Sequence, residues 1–169
     1  MSAHEHHRLA GDAPVTVAVV TVSDTRTEAT DESGRLARAR LLAAGHRVAR
    51  SEIVPDEPER IRALLAELAE SEVEVVLLSG GTGISRRDRT FEAVSALLER
   101  TLPGFGELFR SLSFSEVGPA AMLSRATAGV YRGRLVVSMP GSADAVRLAL
   151  DRLILPELNH LVWELVRRG

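Results

Sequence analysis

Two aspartates stand at positions where their carboxylates could hold a metal ion. Asp56 follows a candidate β-strand at 46–54, and Asp88 comes shortly after an apolar candidate strand at 73–78. Magnesium prefers oxygen ligands, and proteins usually hold it with one or two carboxylates together with the phosphates of a substrate. The pattern therefore makes Asp56 and Asp88 candidates for a catalytic metal site.

Both aspartates also have ordinary structural interpretations. Asp56 has the chemistry of a helix N-cap, because Pro58 and Glu59 follow it as in a first helical turn. Asp88 lies in an arginine-rich run at 86–89, where it could be a solvated charge paired with a neighbouring guanidinium. The same arginines could instead clamp a polyphosphate through bidentate contacts. The spacing leaves these alternatives open, and the position after strands favours the functional interpretation.

A glycine-rich turn follows the strand segment at 73–78. Gly80, Gly81, Thr82 and Gly83 could bring backbone N–H groups close to a phosphate, since glycines put no side chain in the way. The turn has neither the spacing nor the lysine of a P-loop. A tight turn that needs positive φ explains it equally well.

A second turn, at 140–142, precedes a helical segment. Gly141 and Ser142 could form another backbone site for a phosphate on the same rim. The simpler interpretation is that Ser142 is an ordinary helix N-cap. We expect that both turns lie close together if the strands before them are parallel neighbours.

The chain alternates strand-like and helix-like segments. Continuous β-branched runs predict strands buried on both faces, and apolar residues spaced i, i+3, i+4, i+7 predict amphipathic helices. A hairpin turn is predicted at Arg132-Gly133. The predicted strands are 15–22, 46–54, 73–78, 126–131 and 135–139; the predicted helices are 34–44, one opening at 56, 90–98, 105–112, one following 142, and 155–168.

This order of elements predicts an α/β fold. We expect a three-layer, doubly wound, mostly parallel sheet with helices on both faces and a short antiparallel edge hairpin. A single domain is expected over 14–169, preceded by a flexible tail at 1–13 that carries His4, His6 and His7. Ligands bind beyond the carboxyl ends of the strands in such sheets, so the candidate residues should converge on one rim.

The composition excludes several kinds of chemistry. The 169 residues contain no cysteine and no lysine, which excludes thiolate and Schiff-base nucleophiles. A net charge of −2 and 4% aromatic residues predict no nucleic-acid partner. No apolar run is long enough to cross a membrane, and the first residues lack the apolar stretch of a secretory signal. We therefore expect a cytoplasmic protein with no membrane partner.

Short motifs along residues 15–157 together carry a family resemblance. They are Ser23-Asp24-Thr25, Asp31-Glu32-Ser33-Gly34, 53–57 (IVPDE), 79–83 (SGGTG), Arg87-Asp88, Thr90, Glu92-Ala93, 103–110 (PGFGELFR), Ser124-Arg125-Ala126 and 139–142 (MPGS). In this order they resemble the molybdenum-cofactor biosynthesis family of MogA and MoaB. The stretches SDTRTE and LSFSEVG are more similar to the MoaB branch than to MogA.

The resemblance implies an activity as well as a fold. MogA-like enzymes are trimers, some MoaB proteins are hexamers, and the enzymes adenylylate molybdopterin. The terminal phosphate of the pterin attacks the α-phosphorus of ATP, pyrophosphate leaves, and Mg²⁺ is required. The product passes to a MoeA-type molybdate insertase. A non-catalytic protein that carries molybdopterin or a precursor is the alternative.

The same resemblance implies a role for each candidate residue. The two essential aspartates of the family correspond to Asp56 and Asp88, which would hold Mg²⁺. The presence of both favours the enzyme over the carrier. The residues implied to bind the nucleotide are Gly80, Gly81, Thr82, Gly83, Gly141 and Ser142, and those implied to lie towards the pterin are Ser23, Asp24, Ser124 and Arg125.

Overall fold

The computed structural model describes residues 10–167 and contains a six-stranded sheet in the order β2-β1-β3-β6-β5-β4. Strands β2, β1, β3 and β6 are parallel, whereas β5 pairs antiparallel with β6 and with β4. The sheet therefore has the predicted parallel body and antiparallel edge. The strands are β1 (Thr16–Val22), β2 (Arg47–Val54), β3 (Val75–Ser79), β4 (Arg100–Thr101), β5 (Thr127–Tyr131) and β6 (Arg134–Met139).

Helices connect the strands and cover both faces of the sheet. Besides the α-helices there are a 3₁₀ helix at Gly118–Leu123 and π-helical turns at Leu150–Ile154 and Trp163–Arg167. The α-helices are α1 (Glu32–Ala43), α2 (Pro58–Ala69), α3 (Thr90–Ser95), α4 (Pro103–Val117), α5 (Ala143–Ala149) and α6 (Leu155–Val162). No helix among residues 10–167 is long and apolar enough to cross a membrane.

Two apolar cores, one on each face, make the molecule three-layered. Alternate residues of β1 point to opposite faces, so Val17 and Val19 belong to one core and Ala18 and Val20 to the other. Helices α1, α4, α5 and α6 pack on the first face, and α2 and α3 pack on the second. Burying each large apolar side chain contributes about 2 kcal/mol. The predicted three-layer fold is confirmed.

Local signals explain several of the element ends. Arg132 and Gly133 both have positive φ (44° and 71°), as the tightest hairpin turn requires, and Gly45 has φ 85° just after α1. Helix α1 begins two residues before the predicted 34 because Asp31 caps it, accepting from the Gly34 amide at 3.0 Å. Strand β2 lies at the sheet edge, so its residues are not buried on both faces as those of β1 are.

The observed elements differ from the predicted ones in three places. Helix α4 begins at Pro103, two residues before the predicted 105, because proline suits the first helical turn, and it runs five residues beyond the predicted end at 112. Strand β4 was not predicted, since two residues carry no periodicity. The helices predicted after 142 and at 155–168 form one run, in which π-helical turns join α5 to α6.

The start and end of the chain lie partly outside the described residues. The structure does not describe residues 1–9 or 168–169. Most of the predicted flexible tail at 1–13, including His4, His6 and His7, therefore lies outside the described residues. Within the described part, Ala10 is buried and the Ala13 carbonyl accepts from Asn159 Nδ2 at 2.8 Å. The segment before β1 therefore contacts the terminal helical run.

Candidate active site at the carboxyl rim of the sheet

The segments that follow β1, β2, β3 and β6 meet at one rim of the sheet. The Ser23 amide donates to the Val54 carbonyl at 2.9 Å, which joins the ends of β1 and β2. The Gly80 amide donates to the Met139 carbonyl at 2.9 Å, which joins the ends of β3 and β6. The expected convergence of these segments follows from the parallel pairing of the strands.

Asp56 holds the start of helix α3 rather than capping α2. Its carboxylate accepts from the Arg89 amide at 3.2 Å and from the Thr90 hydroxyl at 3.2 Å. The N-cap residue of α2 is Glu57, and it makes no side-chain cap hydrogen bond. The N-cap interpretation of Asp56 is therefore wrong for the helix that follows it. The carboxylate instead ties the β2–α2 connection to the loop that carries Asp88.

The environment of Asp56 disfavours its negative charge. The residue is 7% exposed, and burial raises the pKa of its carboxyl above the ordinary aspartate value. Hydrogen bonds from Arg89 and Thr90 act in the opposite direction, while the negative charges of Asp88 and Asp24 raise the pKa further. Three carboxylates thus share one electrostatic neighbourhood at the rim, and Arg87 is paired with one of them, Asp24.

Asp88 sits on a turn that its own carboxylate organises. Its Oδ2 atom accepts from the Ser85 amide at 2.9 Å. The neighbouring Arg87 does not pair with it, since its Nε donates to Asp24 Oδ2 at 3.0 Å. The predicted ion pair between Asp88 and an adjacent arginine is absent from the ion pairs of residues 10–167. Asp88 is therefore a half-buried carboxylate that no arginine neutralises.

Asp24 joins the segment after β1 to both neighbouring segments. Its Oδ1 accepts from the Asp56 amide at 3.1 Å, and its Oδ2 is held by Arg87. The hydrogen bond from Arg87 and that from the Asp56 amide hold the pKa of Asp24 below its ordinary value. The Ser23 hydroxyl accepts from the amides of Thr25 and Arg26, which fixes the turn that contains Asp24.

The glycines after β3 leave room for the two carboxylates. Gly80 and Gly81 have φ of 114° and 66°, so the tight-turn interpretation of this segment is confirmed. A Cβ atom on Gly81 would lie 2.5 Å from Asp56 Oδ2, and one on Gly83 would lie 2.7 Å from Asp88 Oδ2. The turn therefore approaches both carboxylates as closely as a bare backbone allows.

A cavity of about 370 Å³ opens beside this turn. That volume falls in the range of roughly 300–1,000 Å³ typical of small-molecule sites. Helix α4 and the following 3₁₀ helix supply an apolar wall opposite the two turns. The lining residues are Gly81, Thr82, Gly83, Asp88, Phe109, Ser113, Glu116, Val117, Ala120, Ala121, Leu123, Ser124, Pro140, Gly141, Ser142, Asp144, Ala145 and Leu148.

The segment after β6 forms one side of this cavity. The Ser142 side chain caps α5, accepting from the Ala145 amide at 3.2 Å, so the N-cap interpretation is confirmed. A Cβ atom on Gly141 would lie 3.1 Å from the Gly80 Cα, so the two turns are in contact. Both turns line the cavity, as expected of neighbouring strand ends.

Arg125 braces the loop that carries the candidate residues. Its Nε donates to the Gly83 carbonyl at 2.9 Å and its Nη2 donates to the Asp88 carbonyl at 3.0 Å. Its guanidinium also pairs with Glu92 and lies 4.9 Å over the Phe91 ring centroid. The guanidinium therefore holds the turn after β3 and the start of α3 together.

The four residues expected towards the pterin lie in two different places in the structure. Ser124 lines the 370 Å³ cavity, and Arg125 follows it in the chain. Ser23 and Asp24 are outside the lining and lie beside Asp56. Sequence reasoning missed the apolar wall from α4 and gave Thr90 no role, although Thr90 is fully buried against Asp56. The signal in the sequence that could have indicated a role for Thr90 is a threonine at the first position of a helix.

The carboxylates of Asp56 and Asp88 are oxygen donors of the kind that magnesium prefers. Among residues 10–167 there is no cluster of three or more histidine, cysteine, aspartate or glutamate side chains that could hold a metal. Two carboxylates with substrate phosphates and water would complete the coordination that magnesium usually has. The close approach of Gly81 to Asp56 and of Gly83 to Asp88 keeps side chains away from those oxygens.

Comparison with known proteins identifies the family. A family model described as "Probable molybdopterin binding domain" matches residues 18–160. Molybdenum cofactor biosynthesis protein B of Bacillus cereus is 53% identical over 170 residues, 99% of this chain and 100% of that protein.

Two crystal structures show the same fold. One, of a molybdenum cofactor biosynthesis protein B, is 53% identical with a TM-score of 0.89 and covers 94% of this chain and 99% of its own. The other is of the tungsten cofactor synthesizing protein MoaB from Pyrococcus furiosus. It is 38% identical with a TM-score of 0.82, and the match covers 90% of this chain and 97% of that chain. The chain therefore belongs to the MoaB/MogA family of molybdenum cofactor biosynthesis proteins.

Proposed function

We propose that this protein adenylylates molybdopterin in molybdenum cofactor biosynthesis, using ATP and Mg²⁺. The observation that supports this proposal best is the position of Asp88. Its carboxylate lies against Gly83 of the glycine turn, both residues line the cavity of about 370 Å³, and Asp88 has no arginine partner among the described ion pairs. Family membership supports the role in the pathway.

The two turns are suited to bind the nucleotide. The backbone of Gly80, Gly81, Thr82 and Gly83 faces the cavity rim, and Gly141 and Ser142 close its other side. Bare N–H groups of such turns bind phosphate oxygens without a cationic side chain. The start of α5 adds the positive end of a helix behind Ser142. The adenylyl group is proposed to lie across these turns.

The two aspartates are proposed to hold Mg²⁺ at the reacting phosphates. Mg²⁺ would neutralise the charge that develops on the phosphate oxygens during transfer. Asp56 is fixed by the Arg89 amide and the Thr90 hydroxyl, and Asp88 by the Ser85 amide, so both carboxylates keep their positions. Arg87 and Asp24 tie the neighbouring segments together and keep the aspartates at one rim.

Adenylyl transfer asks the protein for alignment rather than covalent help. A terminal phosphate oxygen of molybdopterin forms the new bond to the α-phosphorus of ATP. The bond from that phosphorus to the bridging oxygen breaks, and pyrophosphate leaves with the electron pair. Ser124 and Arg125 are proposed to lie towards the pterin, with Arg125 acting through the loop carbonyls that it holds. Ser23 and Asp24, beside Asp56, are also proposed to lie towards the pterin.

A non-catalytic carrier of molybdopterin or a precursor is the second candidate. The observation that favours it is the lining of the 370 Å³ cavity, which does not include Asp56. A ligand could therefore lie in the cavity without contacting both candidate metal ligands. The two functions differ in whether ATP is turned over.

The test is incubation of the purified protein with molybdopterin, ATP and Mg²⁺. The proposal predicts adenylylated molybdopterin and pyrophosphate in equal amounts, and no product when Mg²⁺ is chelated. Molybdopterin that binds but is not adenylylated would overturn the enzyme and support the carrier.

We further propose that the chain assembles as a trimer or hexamer. Several large apolar side chains are exposed on α4 and the 3₁₀ helix, and an interface would bury them. They are Leu108, Phe114, Val117, Met122 and Leu123. A light-scattering mass near that of one 18.3 kDa chain would contradict this assembly. The adenylylated product is proposed to pass to a MoeA-type molybdate insertase.

A further inference from the structure

A second, polar groove is lined in part by the loop that carries Asp88. Its volume is about 410 Å³, and it lies between the start of α2, the loop at 84–89 and the start of α3. Four of its nine lining residues are arginines, against two acidic residues. The lining residues are Pro58, Arg62, Ile84, Ser85, Arg86, Asp88, Arg89, Glu92 and Arg125.

Some arginines of this groove are held in ion pairs with carboxylates, and others are not. Arg62 pairs with Glu59 and Arg125 pairs with Glu92. No ion pair with another residue of 10–167 holds the side chains of Arg86 and Arg89, which are exposed. Two guanidinium groups are therefore available in the groove, and their planar donor sets match phosphate oxygens.

Asp88 connects the groove to the 370 Å³ cavity. It is the one residue among the described lining sets that both spaces share. The two spaces therefore meet at the candidate metal ligand. A phosphate chain that begins at the glycine turn could cross this point and continue into the groove.

We propose that this groove binds the β- and γ-phosphates of the nucleotide and receives them as pyrophosphate after transfer, with Arg86 and Arg89 as the binding residues. This inference rests on the proposed adenylyl transfer. The attacking and leaving oxygens of such a transfer lie roughly in line on either side of the phosphorus. A pterin phosphate that attacks from the cavity therefore needs space for the leaving group away from the cavity, and the groove that meets it at Asp88 would provide that space.

The positive groove also has a consequence for catalysis. Charge develops on the bridging oxygen as the bond to the α-phosphorus breaks, and guanidinium groups near that oxygen stabilise it. Arg86 follows Ser85, and Arg89 follows Asp88, in the loop that Arg125 braces. This loop thus carries both the candidate metal ligand and the proposed phosphate-binding arginines.

Calorimetric titration with inorganic pyrophosphate in the absence of metal tests the groove directly. The double variant Arg86→Ala/Arg89→Ala is expected to bind pyrophosphate at least about tenfold more weakly than wild type, because it loses charge-assisted hydrogen bonds. The variant Arg86→Lys/Arg89→Lys is expected to keep part of the affinity. The matched control, Arg35→Ala/Arg60→Ala, removes two exposed arginines outside the groove and is expected to change the affinity less than twofold.

The same variants separate this proposal from the proposed function. In the transfer assay, Arg86→Ala/Arg89→Ala is expected to raise the KM for ATP and the inhibition constant of pyrophosphate while leaving molybdopterin affinity unchanged. Pyrophosphate affinity that is equal in wild type and the double variant would overturn the groove, whatever the transfer result. Absence of adenylylated product from the wild type would instead overturn the proposed function.

Discussion

The closest geometric constraint on the site is at Gly81, where alanine should be strongly destabilising. An added Cβ would lie 1.9 Å from Thr90 Oγ1 and 2.5 Å from Asp56 Oδ2. Both neighbours are buried and hydrogen-bonded to each other, so neither can move away without breaking that bond. The variant Gly81→Ala therefore combines backbone strain with overpacking.

The magnitude follows from two contributions. A left-handed φ, 66° at this position, costs an L-residue about 1–2 kcal/mol. Overpacking by one methyl group in a tight site costs about 1–3 kcal/mol more. We expect Gly81→Ala to lower the free energy of unfolding by about 2–5 kcal/mol.

Gly45→Ala is the matched control for this variant. Gly45 also has positive φ (85°), but an added Cβ there meets no atom within 4 Å. Gly45→Ala should therefore lower the free energy of unfolding only by the cost of backbone strain, about 1–2 kcal/mol. The assay is urea denaturation of both variants and wild type. Equal destabilisation by Gly81→Ala and Gly45→Ala would refute the close packing of the glycine turn on Asp56 and Thr90.

Three further predictions concern the same rim. Asp56→Asn is expected to raise the free energy of unfolding at pH 7. Burial raises the pKa of Asp56, so its contribution to stability falls as the pH rises through its folded-state pKa. Denaturation at pH 7 and at pH 4 checks this, and a loss of stability at pH 7 would contradict it. Magnesium affinity, measured by calorimetry, is expected to weaken on acidification before the pH reaches the ordinary aspartate pKa of about 3.9, because a proton competes for Asp56; constant affinity down to that pH would count against it. Arg125→Ala is expected to increase amide hydrogen exchange in the loop at 80–89, and Arg125→Lys should not restore protection, because an ammonium group cannot span the carbonyls of Gly83 and Asp88.

Much of the fold could be predicted from the sequence because its signals are local. The run at β1 is buried on both faces, as continuous β-branched residues indicate. The hairpin at Arg132 and Gly133 follows from turn chemistry. The two-residue strand β4 has no period of its own, and pairing with Val130 and Gly129 alone defines it.

The site residues were also found in part from local position. Asp56, Asp88 and the two turns follow strands, so their convergence follows from the parallel order of the sheet. The partners of Asp56 could not be predicted, because Arg89 and Thr90 are 33 and 34 residues away in the chain. The pairing of Arg87 with Asp24 spans 63 residues and likewise depends on the tertiary fold.

The most direct test of the account is the rate of adenylyl transfer by Asp88→Asn. The variant keeps an oxygen that can accept from the Ser85 amide, so the loop should stay folded while the charge beside the cavity is lost. Asp151→Asn is the control, since Asp151 pairs with Arg40 away from the rim. The account predicts adenylylated molybdopterin from wild type and Asp151→Asn, and at least about a hundredfold slower transfer by Asp88→Asn, as for loss of a key transition-state interaction. Wild-type turnover by Asp88→Asn would contradict it.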